Sequence, residues 1–383
     1  MKKVAICINM LSPYWKPVFN ELGKFYQIII FVGTSLEPNR QYDKNNINTE
    51  GYNFKIIKNK NLMIDLRKFH FKTELLYIQI GLWRDLLAFK PDIIISNELG
   101  IRTAISLIYG KLFNIPVIPW ICVSKHTERN ISILRRLWRK ILLYNIKLVF
   151  TNLSLATQYL MDEFKFKKEK IINVPYTLNV DEYYNKVKLF ENEAKLFKEK
   201  HKLKGKVFLY IGQMIERKGL FMIEKYFNNK KINKSLFTLL FIGGNLPINV
   251  RDKLLELKIN FLNIDFVQPN ELPKYYAAAD VFFFPSLEDE WGIVINEAAS
   301  AGLPLLSSVY AAVTYDLVVD GKNGYSFDPF NSIDTTEKFL KLVKLNKDQL
   351  KQMGAESRSL AKKYDINYTL NNFISGIEII LQK

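Results

Sequence analysis

The chain has 383 residues, 48% apolar and 14% aromatic, too many for one ordinary core and too apolar for a disordered chain, so two folded domains are expected. Its formal net charge is +17, and Lys and Arg outnumber Asp and Glu by 12 over residues 1–185. No nucleic-acid recognition module accompanies that charge, which excludes nucleic acid as a partner and leaves an anionic membrane surface.

Cys7 and Cys122 lie in apolar runs, and His70, His126 and His201 lack the spacing of metal ligands, so neither a disulfide nor a metal site is expected. The N-terminal MKKVAICINML has the lysines and short apolar run of a leader. It also contains Asn9, meets Pro13 and lacks a small-residue cleavage site, so it reads as a first buried strand. No run approaches the roughly 18–20 apolar residues of a membrane span, and a cytoplasmic protein is expected.

Strands are predicted at Val4 to Asn9, Gln27 to Val32, Ile93 to Ser96, Pro116 to Ile121 and Leu148 to Thr151. Helical patterns alternate with them at Pro17 to Phe25, Thr73 to Phe89, Thr103 to Phe113 and Leu155 to Glu163, which argues for a doubly wound parallel sheet. Ser132 to Lys147 interleaves Arg135, Arg136, Arg139 and Lys140 with Leu134, Leu137, Trp138, Ile141 and Leu142. That is a basic amphipathic helix, which would lie on a membrane or pack its apolar stripe on its own domain, and the two are compatible if the cationic face touches lipid while the apolar face packs inward.

Periodicity lapses around Val174 to Glu182, and a Lys- and Glu-rich helix is predicted over Tyr183 to Leu203. A second alternation follows. Its strands are Val207 to Gly212, Phe237 to Gly243, Asn260 to Val267, Val281 to Phe284 and Leu305 to Ser307; its helices are Leu220 to Phe227, Arg251 to Leu257, Leu272 to Ala279 and Gly292 to Ala301. The expected domains are residues 1–178 and 179–366, with a helix in 367–383 returning to the first. Both are α/β, and two Rossmann-like sheets facing across a cleft would let two ligands enter from opposite sides.

Two loops of the second domain carry candidate chemistry. After strand Val207 to Gly212 comes Gln213-Met214-Ile215-Glu216-Arg217-Lys218-Gly219, where Arg217 and Lys218 would supply charge to a diphosphate. After Val281 to Phe284 comes Pro285 to Gly292, and then a helix whose first N–H groups and dipole favour phosphate. Asp289 and Glu297 add carboxylates to the same spot. These repel phosphate but accept hydrogen bonds from hydroxyls, so the pair of loops suits a sugar nucleotide.

YIGQMIERKG, PSLEDEWGIVINEAASAGLP and VVDGKNGYSFDP occur in the order seen in the large retaining glycosyltransferase family 4 (glycosyl transferases group 1), which this chain resembles over most of its second half. The first half resembles members that build bacterial cell-surface polysaccharides, through LSPYWKPVFNEL, PDIIISNELGIRT and the His126-Thr127-Glu128-Arg129 loop.

The resemblance implies a GT-B fold and sugar transfer from a nucleotide sugar, with retention and without a metal or other cofactor. The acceptor would be a saccharide, in particular a lipid-linked one at the inner membrane face. Matched position gives Glu297 the ribose hydroxyls, Lys218 the diphosphate, and Asp289 the place of a glutamate facing the transferred sugar, with Glu288 and Glu290 as neighbours able to substitute. Gly292 and Ile293, beside Trp291, would offer backbone N–H groups. Gln213 stands where the family has an arginine, so Arg217 would compensate. His126 would lie near the donor sugar, and Lys16 and Arg102 would meet an acceptor phosphate. Two alternatives stay open: an epimerase of the same fold, and a sugar-nucleotide-binding protein without catalysis.

Overall fold

The computed structural model describes residues 1–33, 51–58, 61–65, 75–79, 81–129 and 131–382. The chain divides into two compact units. Unit 1 comprises Met1–Tyr176 with Ile366–Lys383, and unit 2 comprises Thr177–Asp365.

Unit 1 is built on β1 (Lys3–Ile8), β2 (Gln27–Val32), β3 (Phe54–Lys58), β4 (Asn61–Asp65), β5 (Leu75–Gln79), β6 (Ile93–Asn97), β7 (Val117–Ile121), β8 (Val149–Thr151) and β9 (Ile171–Asn173). Strands β4 and β5 form a separate antiparallel pair, and the other seven make one sheet ordered β3-β2-β1-β6-β7-β8-β9. Every pairing in that sheet is parallel. A parallel sheet covered on both faces needs near-continuous apolar strands. In β1, Val4, Ile6 and Ile8 enter one core while Ala5 and Cys7 enter the other. Burial pushes the Cys7 thiol up to about 12, so it is an inert core group.

The last helix, Ile366–Leu381, belongs to unit 1. Its Phe373 is fully buried and packs edge-on against Trp15, Phe19, Trp120 and Phe150. Asn372 donates to the carbonyl of Asn173, and Thr369 to that of Pro175. The end of the chain is therefore a structural member of the first sheet's cover.

Unit 2 is built on β10 (Lys206–Ile211), β11 (Phe237–Ile242), β12 (Asn260–Ile264), β13 (Val281–Phe284), β14 (Leu305–Ser308) and β15 (Gly324–Phe327). The sheet is parallel and ordered β12-β11-β10-β13-β14-β15. Strand order reverses between β10 and β13, and the C-terminal ends of the strands at such a reversal are where open α/β sheets form their ligand crevice. Phe208, Phe227, Phe237 and Phe339 cluster on one face of this sheet in edge-on and tilted contacts.

The structure departs from the sequence expectations in several places. The helix expected over Thr73 to Phe89 is strand β5 followed by a helix only at Leu82–Phe89, because a short apolar run such as Leu75–Gln79 fits either element. Residues 73–74 and His70 lie outside the described residues. The helix expected over Tyr183 to Leu203 is two, Val180–Leu189 and Glu191–Lys200, parted at Phe190. Strand Asn260 to Val267 stops at Ile264, and Leu220 to Phe227 opens as a turn of 3-10 helix.

The basic helix, Ile133–Leu143, is rotated from the expected pose. Its apolar stripe faces outward, with Leu134 78% and Ile141 67% exposed, while Arg139 is 3% exposed. The cause is Glu128, a buried carboxylate that pairs closely with the Arg139 guanidinium. An unpaired buried carboxylate is far costlier than exposed leucines, so the charge pair sets the helix rotation.

Replacing Phe373 with Ala removes a fully buried ring from the aromatic cluster and should destabilise unit 1 by about 3–5 kcal/mol. Urea unfolding followed by circular dichroism measures this, and an unchanged midpoint would contradict the packing role of the last helix.

Candidate functional site

The crevice of unit 2 is shaped by three loops, those leaving β10, β13 and β14. The β10 loop turns back at Gly219, whose φ is +78°, and a Cβ there would lie 2.0 Å from the Pro285 carbonyl oxygen. Only glycine permits both that backbone and that approach. The two loops are then stitched together: Leu287 N–H donates to the Arg217 carbonyl at 2.8 Å, and the Ser286 hydroxyl to the same carbonyl at 3.3 Å.

This contact brings Lys218 onto Asp289. The ammonium and carboxylate form a close ion pair, with side chains only 10% and 14% exposed. Lys218 also lies over the Phe284 ring at 5.3 Å, and Phe284 stacks with Tyr210 at 6.4 Å. The apolar floor excludes water on one side and strengthens the pair. Asp289 is itself pinned. Its N–H donates to the Tyr310 carbonyl at 3.1 Å, its carbonyl accepts from Ala312 at 3.0 Å, and its second carboxylate oxygen accepts from the Trp291 N–H at 3.3 Å.

Gly292 then caps the helix Ile293–Ser300 with φ +87° and ψ +62°, a left-handed cap that requires glycine. The first N–H groups of that helix therefore follow a cap three residues beyond Asp289. The Trp291 indole N–H donates to Asn296 Oδ1 at 2.9 Å, which fixes the ring against the first helical turn. One turn on, Glu297 is 1% exposed and accepts from the Tyr276 hydroxyl at 2.9 Å. Arg217 is exposed, with its guanidinium on the Glu288 carbonyl at 3.3 Å and beside Gln213 Oε1 at 3.5 Å. Glu290 is exposed at the loop tip. Burial, and after it the charge of Asp289, pushes the Tyr210 phenol well above its usual range. Tyr210 therefore remains a neutral donor, held on the Gln213 carbonyl at 2.8 Å.

The fold thus gathers Gln213, Arg217, Lys218, Asp289, Glu290, Trp291, Gly292, Ile293 and Glu297 onto one sheet edge. Tyr276, Asn296, Phe284 and Tyr310 are additions that the sequence did not signal as partners. Asn296 follows Trp291 by five residues and is legible in hindsight. Tyr276 sits on another helix, Leu272–Ala278, and only packing brings it to Glu297.

In unit 1, His126 lies in the turn after β7, where Thr127 and Glu128 fold back onto Ser124. Burial lowers the His126 pKa, and Arg129 and Lys125 lower it further. Lys16 starts the helix Lys16–Leu22 with its ammonium over the Tyr52 ring at 5.3 Å. Arg102 is not a solvent-facing cation. It is 8% exposed and donates to the Asn97 carbonyl at 3.0 Å. Among the described residues no group of three His, Cys, Asp or Glu is placed to hold a metal ion.

His126 carries a pH prediction. Its folded pKa lies below the ordinary 6.5, so the unfolded chain binds more protons as the solution is acidified from that value. Stability therefore falls as pH drops through the folded pKa. Replacement by Asn should flatten the dependence of the urea midpoint between about pH 5 and pH 7; an unchanged slope would refute the assignment.

Comparison with known proteins agrees with this architecture. Residues 191–360 match the family described as Glycosyl transferases group 1. Alpha-monoglucosyldiacylglycerol synthase of Acholeplasma laidlawii is 31% identical over 157 residues, which are 40% of this chain and 36% of that protein. The chain spans about half, or less, of the length of the curated relatives it matches first, 20% of one and 54% of another. Among solved structures, a glycosyltransferase from Rickettsia africae aligns over 100% of this chain and 99% of its own with a TM-score of 0.76 at 16% identity. Anabaena HepE in complex with UDP aligns over 99% of this chain and 100% of its own with a TM-score of 0.72 at 13% identity. Likeness at such identity concerns the fold, and the fold with two parallel sheets of seven and six strands is GT-B. Within it, residues 191–360 are the part of the chain that matches the Glycosyl transferases group 1 family.

Proposed function

We propose that this chain is a glycosyltransferase that moves a sugar from a nucleoside-diphosphate sugar to a saccharide acceptor with retention at the anomeric carbon. The observation that carries the proposal is the Lys218–Asp289 pair at the strand-order reversal, beside the Gly292-capped helix start. A diphosphate needs a cation and helix N–H groups; a sugar needs a carboxylate that accepts hydroxyls. Both needs meet at this one pair. That Anabaena HepE, which shares this fold, was solved with UDP supports a nucleotide ligand here.

In this scheme Lys218, Arg217 and the N–H groups of Gly292 and Ile293 take up the negative charge that develops on the departing diphosphate. Glu297, oriented by Tyr276, accepts the ribose hydroxyls. Asp289 exchanges Lys218 for the hydroxyls of the transferred sugar as the diphosphate arrives. Gln213, Glu290 and Trp291 border the donor, and in unit 1 His126 and Lys16 keep the sugar and acceptor roles that the resemblance implies. The charge on the leaving group is met by side chains and backbone, so the reaction needs no metal. The acceptor is a lipid-linked saccharide of bacterial capsule, O-antigen or lipopolysaccharide assembly, and the enzyme works in the cytoplasm at the inner face of the plasma membrane. The name of the Acholeplasma relative, a diacylglycerol glycolipid synthase, supports a lipid-borne acceptor.

A calorimetric screen of UDP-, GDP-, ADP- and dTDP-sugars identifies the donor, after which two variants separate the roles. Lys218→Ala should lower kcat by about 10²–10³-fold, the usual cost of removing one donor to developing charge. Asp289→Asn should also lose transfer, yet bind the free nucleoside diphosphate about threefold more tightly, because a carboxylate that competes for Lys218 and repels phosphate is gone. Transfer should persist in EDTA, and proton NMR of the product should show the donor's anomeric configuration. Donor binding with no acceptor-dependent transfer would sink the proposal.

A further inference from the structure

We infer that the helix Ile133–Leu143 is a membrane-docking element that inserts its apolar stripe among anionic lipids, a deeper form of the membrane placement proposed above. Ile133, Leu134, Leu137, Trp138, Ile141 and the capping Tyr144 are all exposed, from 40% for Trp138 to 78% for Leu134. Leu134, Leu137, Trp138 and Ile141 follow the i, i+3, i+4, i+7 spacing of a single helix face. At 100° per residue, Arg135 falls on one flank of that face and Lys140 on the other, while Arg136 lies farther round, 3.8 Å from Glu163. An apolar ridge with an aromatic residue and cations on both margins has the chemistry of a helix lying in a lipid interface.

The inward face explains why the ridge stays outside. Arg139 is buried against Glu128 and 3.3 Å from the Tyr159 hydroxyl, with Leu142 and Leu143 beside it. Rolling the stripe inward would break that pair, so the exposed ridge is the helix's built orientation. Charge selects the occupant. A second copy of this chain, docked ridge to ridge, would set the flanking Arg135 and Lys140 against like charge. Anionic headgroups complement both, and Arg135, although 3.9 Å from Glu128, keeps half of its side chain exposed. Residues 125–147 hold seven Lys and Arg against the single acid Glu128, so the surroundings share that sign.

The test uses the full chain, without donor or acceptor. It is co-sedimented with vesicles of phosphatidylcholine alone and of phosphatidylcholine mixed with phosphatidylglycerol. The wild type should bind the mixed vesicles, with a blue shift and lipid quenching of Trp138 fluorescence. Leu134→Gln/Leu137→Gln/Ile141→Gln and Arg135→Gln/Arg136→Gln/Lys140→Gln should each weaken binding at least about tenfold. All six side chains are exposed, so circular dichroism should be unchanged in both variants. Absence of wild-type binding, full binding by the apolar variant, or a wild-type dimer that the apolar variant dissociates would each overturn the inference. Nucleoside-diphosphate binding, measured in parallel, keeps the outcomes distinct: its loss counts against the transferase reading, and its persistence with failed vesicle binding counts against this inference alone.

Discussion

One ion pair organises unit 2. Lys218 and Asp289 come from loops 71 residues apart in sequence, and they meet because β10 and β13 are paired neighbours whose loops hydrogen-bond to each other. The pair is screened from water by Phe284 and Tyr210, so each charge depends on the other, and any ligand entering the crevice must offer a substitute partner to both. In the function proposed above, a diphosphate would replace the carboxylate for Lys218, and sugar hydroxyls would replace the ammonium for Asp289.

The supporting shell follows from the same constraint. Gly219 lets the two loops touch, and Gly292 lets the chain turn from the Asp289 loop into a helix without a side chain in the way. Trp291 is locked by Asn296, and Glu297 by Tyr276. Lys218, Asp289, Trp291, Asn296, Glu297 and Tyr276 each have a partner, which fits the high cost of leaving such groups unsatisfied in a low-dielectric site. The result is a preorganised surface rather than a flexible one.

Unit 1 obeys an analogous rule with a different outcome. There the buried pair, Glu128 and Arg139, does not build a ligand site. It fixes the rotation of a surface helix and, through Glu128, ties that helix to the turn carrying His126. A helix that would bury its leucines if packing alone decided instead displays them. One buried charge thereby converts a covering element into an outward-facing one.

Much of this was legible in the residues. Strand and helix alternation announced two doubly wound sheets, because period and length survive in the sequence. The loop bearing Asp289 and the loop bearing Lys218 were recognisable by their positions after buried strands. Other features were not. The run Leu75–Gln79 carried no signal to separate strand from helix. The partners Tyr276 and Tyr310, and the outward turn of Leu134 and Leu137, depended on contacts between residues far apart in the chain. The sequence by itself determined which side chains were available and in what order the elements come, since these are local properties of spacing and hydrophobicity. Only the tertiary structure decided which charges pair, because a buried ion pair is chosen by three-dimensional proximity and desolvation, and neither is written in local order.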